Sequence, residues 1–134
     1  MKKVFLVGVF DILHKGHVEL FRRAKKIGTY LIVAVQDSDY ILKYKSAAQI
    51  LNSTEDRKYM VKAVRYVDEV VTYTDVDKIV KEIEFDVFVT GPDQIHAGFQ
   101  QAILWCKDNN KEHLVLNRTK GICSSNLKKR IAKQ

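Results

Sequence analysis

Apolar and polar positions along the chain follow two different periods, which predict strands and helices in alternation. Continuous apolar runs rich in β-branched residues predict buried strands; they occupy residues 4–7, 30–35, 86–90 and 113–116, with a further short strand in the latter half of 64–71. Apolar residues spaced three or four apart predict helices at 18–27, from 54 through 64, at 75–84 and at 97–109. Strands joined by helices run parallel, with right-handed crossovers. We therefore predict an α/β fold with a five-stranded parallel sheet and helices on both faces.

Length and composition predict how many domains the chain forms and in which cellular compartment it lies. The 134 residues suit one domain with a substantial core, and we treat residues 1–134 as a single Rossmann-like domain. The cysteines, Cys106 and Cys123, lack metal-ligand spacing, so we expect reduced thiols, no metal held by the protein alone and a cytoplasmic location. The first apolar run is too short for a signal peptide, and we expect no membrane insertion.

The formal net charge of +7 indicates an anionic partner. Nucleic acid is one possibility and a set of small phosphorylated ligands is another. The basic residues are scattered, apart from a cluster at 128–130, and no aromatic residues are interleaved with them. We therefore expect small polyanions and no nucleic acid.

The junction between the first strand and the first helix carries two histidines three residues apart, His14 and His17. Gly8 and Gly16 leave room for a ligand to approach the backbone, and a helix start offers free N–H groups to an anion. Ligands of parallel sheets bind at the carboxyl ends of the strands, where this junction lies. The pattern predicts a phosphate site. The alternative is structural: His14 closes a turn, and His17 caps the helix or packs at its start.

A second turn near the end of the chain has similar chemistry. Gly121 allows a sharp turn, Ser124 is a candidate helix cap, and Arg118 offers a forked donor to phosphate. In the polar connection at 37–53, Lys43 and Lys45 would point the same way if the segment were extended. Two solvated lysines are the alternative there.

These motifs resemble those of the nucleotidylyltransferase superfamily. Residues 8–17, GVFDILHKGH, resemble the cytidylyltransferase form G-T-F-D-x-x-H-x-G-H of the HxGH signature, with Val9 in place of Thr. Residues 118–125, RTKGICSS, resemble R-T-x-G-I-S-T-T, and 65–70 match R-Y-V-D-E-V. The resemblance runs from Val4 to Ile131 and is greatest to the glycerol-3-phosphate cytidylyltransferases.

The resemblance implies transfer of a cytidylyl group from CTP to a small phosphomonoester, with Mg²⁺ bound mainly through the nucleotide phosphates. It also implies a homodimer and assigns roles to residues. The catalytic residues would be His14, His17 and Arg118. The nucleotide would be bound by Gly8, Val9, Phe10, Gly16, Asp93, Thr119, Gly121, Ile122, Ser124 and Ser125. The acceptor would be bound by Asp11, Lys43, Lys45, Arg57 and His96.

Residues 91–94, Gly-Pro-Asp-Gln, keep an alternative open. Glycerol-3-phosphate cytidylyltransferases typically read G-D-D-W here, whereas G-P-D-Q is more like archaeal FAD synthetases, which transfer adenylyl groups. An adenylyltransferase acting on FMN or a sugar phosphate is therefore one alternative, and a non-catalytic nucleotide sensor is another. For His96, a surface histidine at a helix start is the alternative to a substrate contact. For Arg57, the alternative is a structural salt bridge.

Overall fold

The predicted strands form one parallel sheet. The computed structural model describes residues 1–44 and 50–117, with the backbone alone for 42–44. Within that part of the chain the strands are β1 Lys3–Gly8, β2 Tyr30–Gln36, β3 Glu69–Tyr73, β4 Val87–Thr90 and β5 Glu112–Val115. Their order is β3-β2-β1-β4-β5, and each neighbouring pair is parallel. The predicted sheet is confirmed.

The side chains of the sheet alternate between two hydrophobic layers. In β1, Phe5 and Val7 face one layer while Val4 and Leu6 face the other, as the two-residue period of a strand requires. The first layer includes residues of the helices α4 Val76–Glu82 and α5 Ala97–Asp108. The second includes residues of α1 Lys15–Ile27 and α3 Thr54–Lys62. Helices therefore cover both faces, as predicted.

One helix was not predicted. Residues 38–44 were predicted to belong to a polar connection, but they form α2, Ser38–Tyr44. Asp37 explains the start of this helix, because its carboxylate accepts the Tyr40 N–H at 3.0 Å and its carbonyl accepts the Ile41 N–H at 3.1 Å. Lys43 is thus helical, so the argument that an extended segment aligns it with Lys45 is wrong. Lys45 lies outside the described residues.

The helix boundaries are otherwise close to those predicted. Ser53 caps α3, with its Oγ accepting the Asp56 N–H at 3.1 Å. Helix α1 begins at Lys15, three residues earlier than its apolar pattern indicated, because His14 caps it. Among the described residues, no helix has both the length and the apolar composition to cross a bilayer.

Candidate active site

The order of the strands places two loops beside each other. From β1 the chain moves to β2 and β3 on one side, and it returns to β4 on the other side of β1. In sheets of this kind, ligands bind outside the carboxyl ends of the strands where the order reverses. The loop at 9–14 follows β1, and the turn at 91–96 follows β4. The histidine motif therefore lies where the topology places a ligand crevice.

His14 is the N-cap of α1. Its backbone is extended, and its Nδ1 accepts the Gly16 N–H at 3.0 Å. Because Nδ1 is an acceptor, the neutral imidazole carries its proton on Nε2. The structural alternative had His14 closing a turn, whereas the structure shows it capping α1, and the same bond fixes the tautomer that can donate to a phosphate oxygen.

His17 completes a reciprocal cap. Its Nδ1 accepts the His14 N–H at 3.4 Å, so its neutral form also carries the proton on Nε2. The two rings stack with their centroids 4.0 Å apart and an angle of 22° between their planes. Two imidazole N–H donors are thereby held side by side at the positive end of a helix, which is an arrangement suited to a polyphosphate.

The first-turn N–H groups of α1 are mostly taken by the protein. Gly16 donates to the His14 ring, and the His17 and Val18 N–H groups donate to the His14 carbonyl at 3.0 and 3.2 Å. The prediction that the helix start offers free N–H groups is therefore wrong at these positions, whereas the nucleotide-binding role of Gly16 stays a prediction. The imidazoles are therefore the main donors that this motif offers to an anion.

A glycine is needed at position 8 for a reason other than the one predicted. A Cβ on Gly8 would lie 2.6 Å from Cζ of Phe10, so the space is occupied by the Phe10 ring rather than left for a ligand. Phe10 is 7% exposed and has a φ of 53°, in the left-handed region that a bulky residue rarely adopts. Its ring packs edge-on against His17, with centroids 5.4 Å apart. Gly8 and Phe10 therefore shape the histidine loop from beneath.

Asp11 ties the histidine loop to the start of α3. It is 5% exposed, and its carboxylate accepts the N–H groups of Leu51 at 2.8 Å and Asn52 at 2.9 Å. Asn52 returns a bond from its amide to the Asp11 carbonyl. These hydrogen bonds give Asp11 a structural role, and its predicted contact with the acceptor stays a prediction. Sequence analysis missed Asn52, which carries no local signal of this pairing.

Arg57 is a buried guanidinium with an acceptor for each N–H. It is 1% exposed. Its Nη1 donates to the Val9 and Gln36 carbonyls at 2.9 and 2.8 Å, and its Nε donates to the Asn52 carbonyl at 3.2 Å. Its Nη2 donates to the hydroxyls of Ser38 and Thr54.

A guanidinium has five N–H donors, and these bonds use all of them within the described residues. The prediction that Arg57 binds the acceptor phosphate is therefore not supported. Burial lowers the pKa of Arg57, and the charges of Asp11 and Asp37 act in the opposite direction. Sequence analysis weighed a salt bridge as the alternative, whereas the structure shows a set of bonds to backbone carbonyls and hydroxyls. Val9, a predicted nucleotide contact, provides one of these carbonyls.

The turn after β4 is braced by Gln94. Its Oε1 accepts the Gly91 N–H at 2.9 Å, and its Nε2 donates to the Val7 carbonyl of β1 at 3.0 Å. The last residue of the tetrapeptide that resembles an adenylyltransferase motif thus has a structural role between β4 and β1. Asp93 is exposed beside it, and its contact with the nucleotide stays a prediction.

His96 caps α5 in the way that His14 caps α1. Its Nδ1 accepts the Gly98 N–H at 3.1 Å, and its ring packs edge-on against Phe99 with centroids 4.6 Å apart. The histidine is exposed at a helix start, as the alternative interpretation stated. Its contact with the acceptor stays a prediction.

Several predicted site residues cannot be placed. Lys45 and the second motif, with Arg118, Thr119, Gly121, Ile122, Ser124 and Ser125, lie outside the described residues. The backbone of Lys43 is described, but its side chain is not. Their roles stay predictions.

Comparison with known proteins assigns a family. A model described as cytidylyltransferase-like matches residues 5–130. The chain belongs to the cytidylyltransferase-like family. This family member is 37% identical over 135 residues to the glycerol-3-phosphate cytidylyltransferase of Bacillus subtilis, with 98% of each chain covered. It is 41% identical over 95 residues to the FAD synthase of Thermococcus kodakarensis, with 69% of this chain and 63% of the other covered.

A solved structure shares the fold of this cytidylyltransferase-like chain. It is described as the lipopolysaccharide core biosynthesis protein from Thermoplasma volcanium, and it matches with a TM-score of 0.71. The match covers 91% of this chain and 99% of the other at 23% identity. The predicted Rossmann-like α/β fold is therefore confirmed, and the likeness to that structure carries no statement about activity.

Proposed function

We propose that this protein transfers a cytidylyl group from CTP to a small phosphomonoester and releases pyrophosphate. The observation that supports this most is the pair His14 and His17, whose Nδ1 atoms are both used in caps so that both neutral rings carry their proton on Nε2. Glycerol 3-phosphate is the first candidate acceptor, because the similarity to a glycerol-3-phosphate cytidylyltransferase covers 98% of both chains. Other polyol, sugar and amino-alcohol phosphates are the remaining acceptors to test.

The reaction needs no nucleophile from the protein. A phosphate oxygen of the acceptor forms a bond to the α-phosphorus of CTP, and the bond from that phosphorus to the oxygen of the β-phosphate breaks. The electron pair of the broken bond leaves with pyrophosphate. Since the acceptor dianion is already nucleophilic, catalysis comes from positioning and from stabilising negative charge on the transferring group. His14 and His17 would donate to the triphosphate oxygens.

The remaining groups complete the same proposal. Arg118 would donate to the phosphates, and Ser124 and Ser125 would hold the leaving pyrophosphate. We propose that Mg²⁺ is bound mainly through the nucleotide phosphates, since this ion usually binds protein sites together with substrate phosphates. Mg²⁺ bound in this way would offset the charge of the leaving group. Lys43 and Lys45 would bind the acceptor phosphate.

Adenylyl transfer is the second candidate. It is favoured by the 41% identity to an FAD synthase over 95 residues. This identity is higher than the 37% to the glycerol-3-phosphate cytidylyltransferase, but it covers fewer residues. The bracing role of Gln94 weakens the argument from residues 91–94, because a glutamine that closes a turn serves either nucleotide.

Pyrophosphate release by the purified protein with Mg²⁺ tests the proposal. CTP and ATP are each combined with glycerol 3-phosphate, a panel of other phosphomonoesters, and FMN, and the variant His17→Ala is the background control. We expect release with CTP and one acceptor. Release with ATP alone would assign the chain to the adenylyl branch. CTP binding without release under all conditions would favour the non-catalytic sensor. The proposed homodimer is tested separately by analytical ultracentrifugation.

A further inference from the structure

Arg57 joins three segments that border the crevice. Its bonds reach Val9 after β1, Gln36 at the end of β2, and Asn52 before α3. Val9 is 48 positions away in the sequence and Gln36 is 21 positions away. A single buried side chain therefore sets the spacing of these three segments.

The bond to Val9 leads directly to the histidines. Val9 precedes Phe10, whose left-handed backbone costs free energy and persists only where its surroundings hold it. The Phe10 ring in turn contacts the ring of His17, which stacks on His14. A shift of the Val9 carbonyl would therefore move the ring against which His17 is packed.

A second connection runs through the other end of the loop. Asp11 accepts the backbone N–H groups of Leu51 and Asn52, and the Asn52 carbonyl accepts from Arg57. The guanidinium thus holds the histidine loop directly at Val9 and indirectly at Asp11. These two attachment points lie on either side of the strained Phe10.

We propose that Arg57 is a positioning residue, which fixes the His14–His17 pair through Val9 and Phe10 and does not bind the acceptor's phosphate. Its effect on turnover rests on the proposed transfer reaction, whereas its effect on the histidine rings does not. Lysine keeps the charge but has three donors on a flexible stem, so it cannot reproduce a planar fork that spans Val9, Gln36 and Asn52.

The test compares Arg57→Lys with Arg22→Lys, a matched change at an arginine that pairs with Glu19 on the surface of α1. With glycerol 3-phosphate and CTP, we expect Arg57→Lys to lower kcat by about 100-fold, because a small misplacement of catalytic groups costs about that much. We expect KM for both substrates to stay within about threefold, because no substrate contact is removed. Arg22→Lys should match the wild type.

The second readout needs no substrate. Two-bond ¹H–¹⁵N correlation of the histidine rings in the free protein reports which nitrogen carries the proton. We expect His14 and His17 to be Nε2–H in the wild type and to shift or mix tautomers in Arg57→Lys. His96 is the internal control, because it caps α5 with the same geometry and is not among the hydrogen-bond partners of Arg57. If the wild type transfers no cytidylyl group, this spectrum still decides the positioning role.

Two outcomes would overturn the proposal. One is a rise in the acceptor's KM of about tenfold with kcat retained, which is the behaviour of a phosphate ligand. The other is a ring spectrum of Arg57→Lys identical to that of the wild type. If Arg57→Lys does not fold, Ser38→Ala replaces it, since this change removes a single hydroxyl acceptor of Nη2. The expected result is then a smaller fall in kcat with unchanged KM and a shift of the His17 ring, and an unchanged spectrum overturns the inference.

Discussion

His14 has two roles that substitution can separate. Its Nδ1 caps α1 by accepting the Gly16 N–H at 3.0 Å, and its Nε2–H is the proposed donor to the triphosphate. Alanine removes both functions. Asparagine is among the best capping residues, and its carboxamide oxygen can accept the same N–H without providing an imidazole donor. The pair His14→Ala and His14→Asn therefore measures capping and catalysis independently.

For stability, we expect His14→Ala to lower the free energy of unfolding by about 1 kcal/mol, the usual cost of losing an N-cap side chain. His14→Asn should recover most of that loss, although both variants lose the stacking of His14 on His17. Urea unfolding followed by circular dichroism measures the difference. His96→Ala and His96→Asn provide a matched pair, because His96 caps α5 through the same bond to a glycine two residues later.

For activity, we expect both His14 variants to lose about 10²- to 10³-fold in kcat, the usual effect of removing one preorganised donor to a developing charge. Steady-state pyrophosphate release measures this. If His14→Asn regained nearly normal turnover together with its stability, His14 would be a cap alone and the proposed donor role would be refuted. If His14→Ala unfolded like the wild type, the capping bond itself would be in doubt.

Three further predictions test the packing and electrostatics around the site. Gly8→Ala places a methyl group 2.6 Å from the Phe10 ring and should cost about 1–3 kcal/mol of stability, so an unchanged urea midpoint would contradict this placement of the ring. Burial lowers the pKa of His113, so protonation favours the unfolded state and stability should fall as the pH drops below about 6.5. The fall should be smaller in His113→Gln. If the free energy of unfolding, measured with urea, fell equally with pH in both proteins, this prediction would be refuted. Burial raises the pKa of the Cys106 thiol to about 11, which leaves about one thiolate in a thousand at pH 8. A short iodoacetamide pulse with peptide mass spectrometry should therefore spare Cys106 in the folded protein, and rapid labelling would contradict its burial.

The sequence determined the elements that depend on local patterns. Apolar runs specified strands such as 4–7 because a strand buried on both faces needs apolar residues throughout. Capping signals specified the start of α3 at Ser53, because a hydroxyl at that position satisfies a backbone N–H of its own helix. The histidine motif was also local, since His14 and His17 lie three residues apart and interact within one helical turn. These features need no knowledge of distant residues.

The tertiary structure decided what depends on partners far apart in the sequence. Arg57 was predicted to bind a phosphate, and its burial became visible only when carbonyls 21 and 48 positions away converged on it. Gln94 belonged to the tetrapeptide that kept adenylyl transfer open, and its bond to Val7, 87 positions away, showed that it braces a turn. Gly8 was assigned to a ligand whose space the Phe10 ring occupies. The physical reason is common to all three: periodicity reports whether a residue's own element is buried, whereas the groups that contact that residue are set by how the chain folds around it.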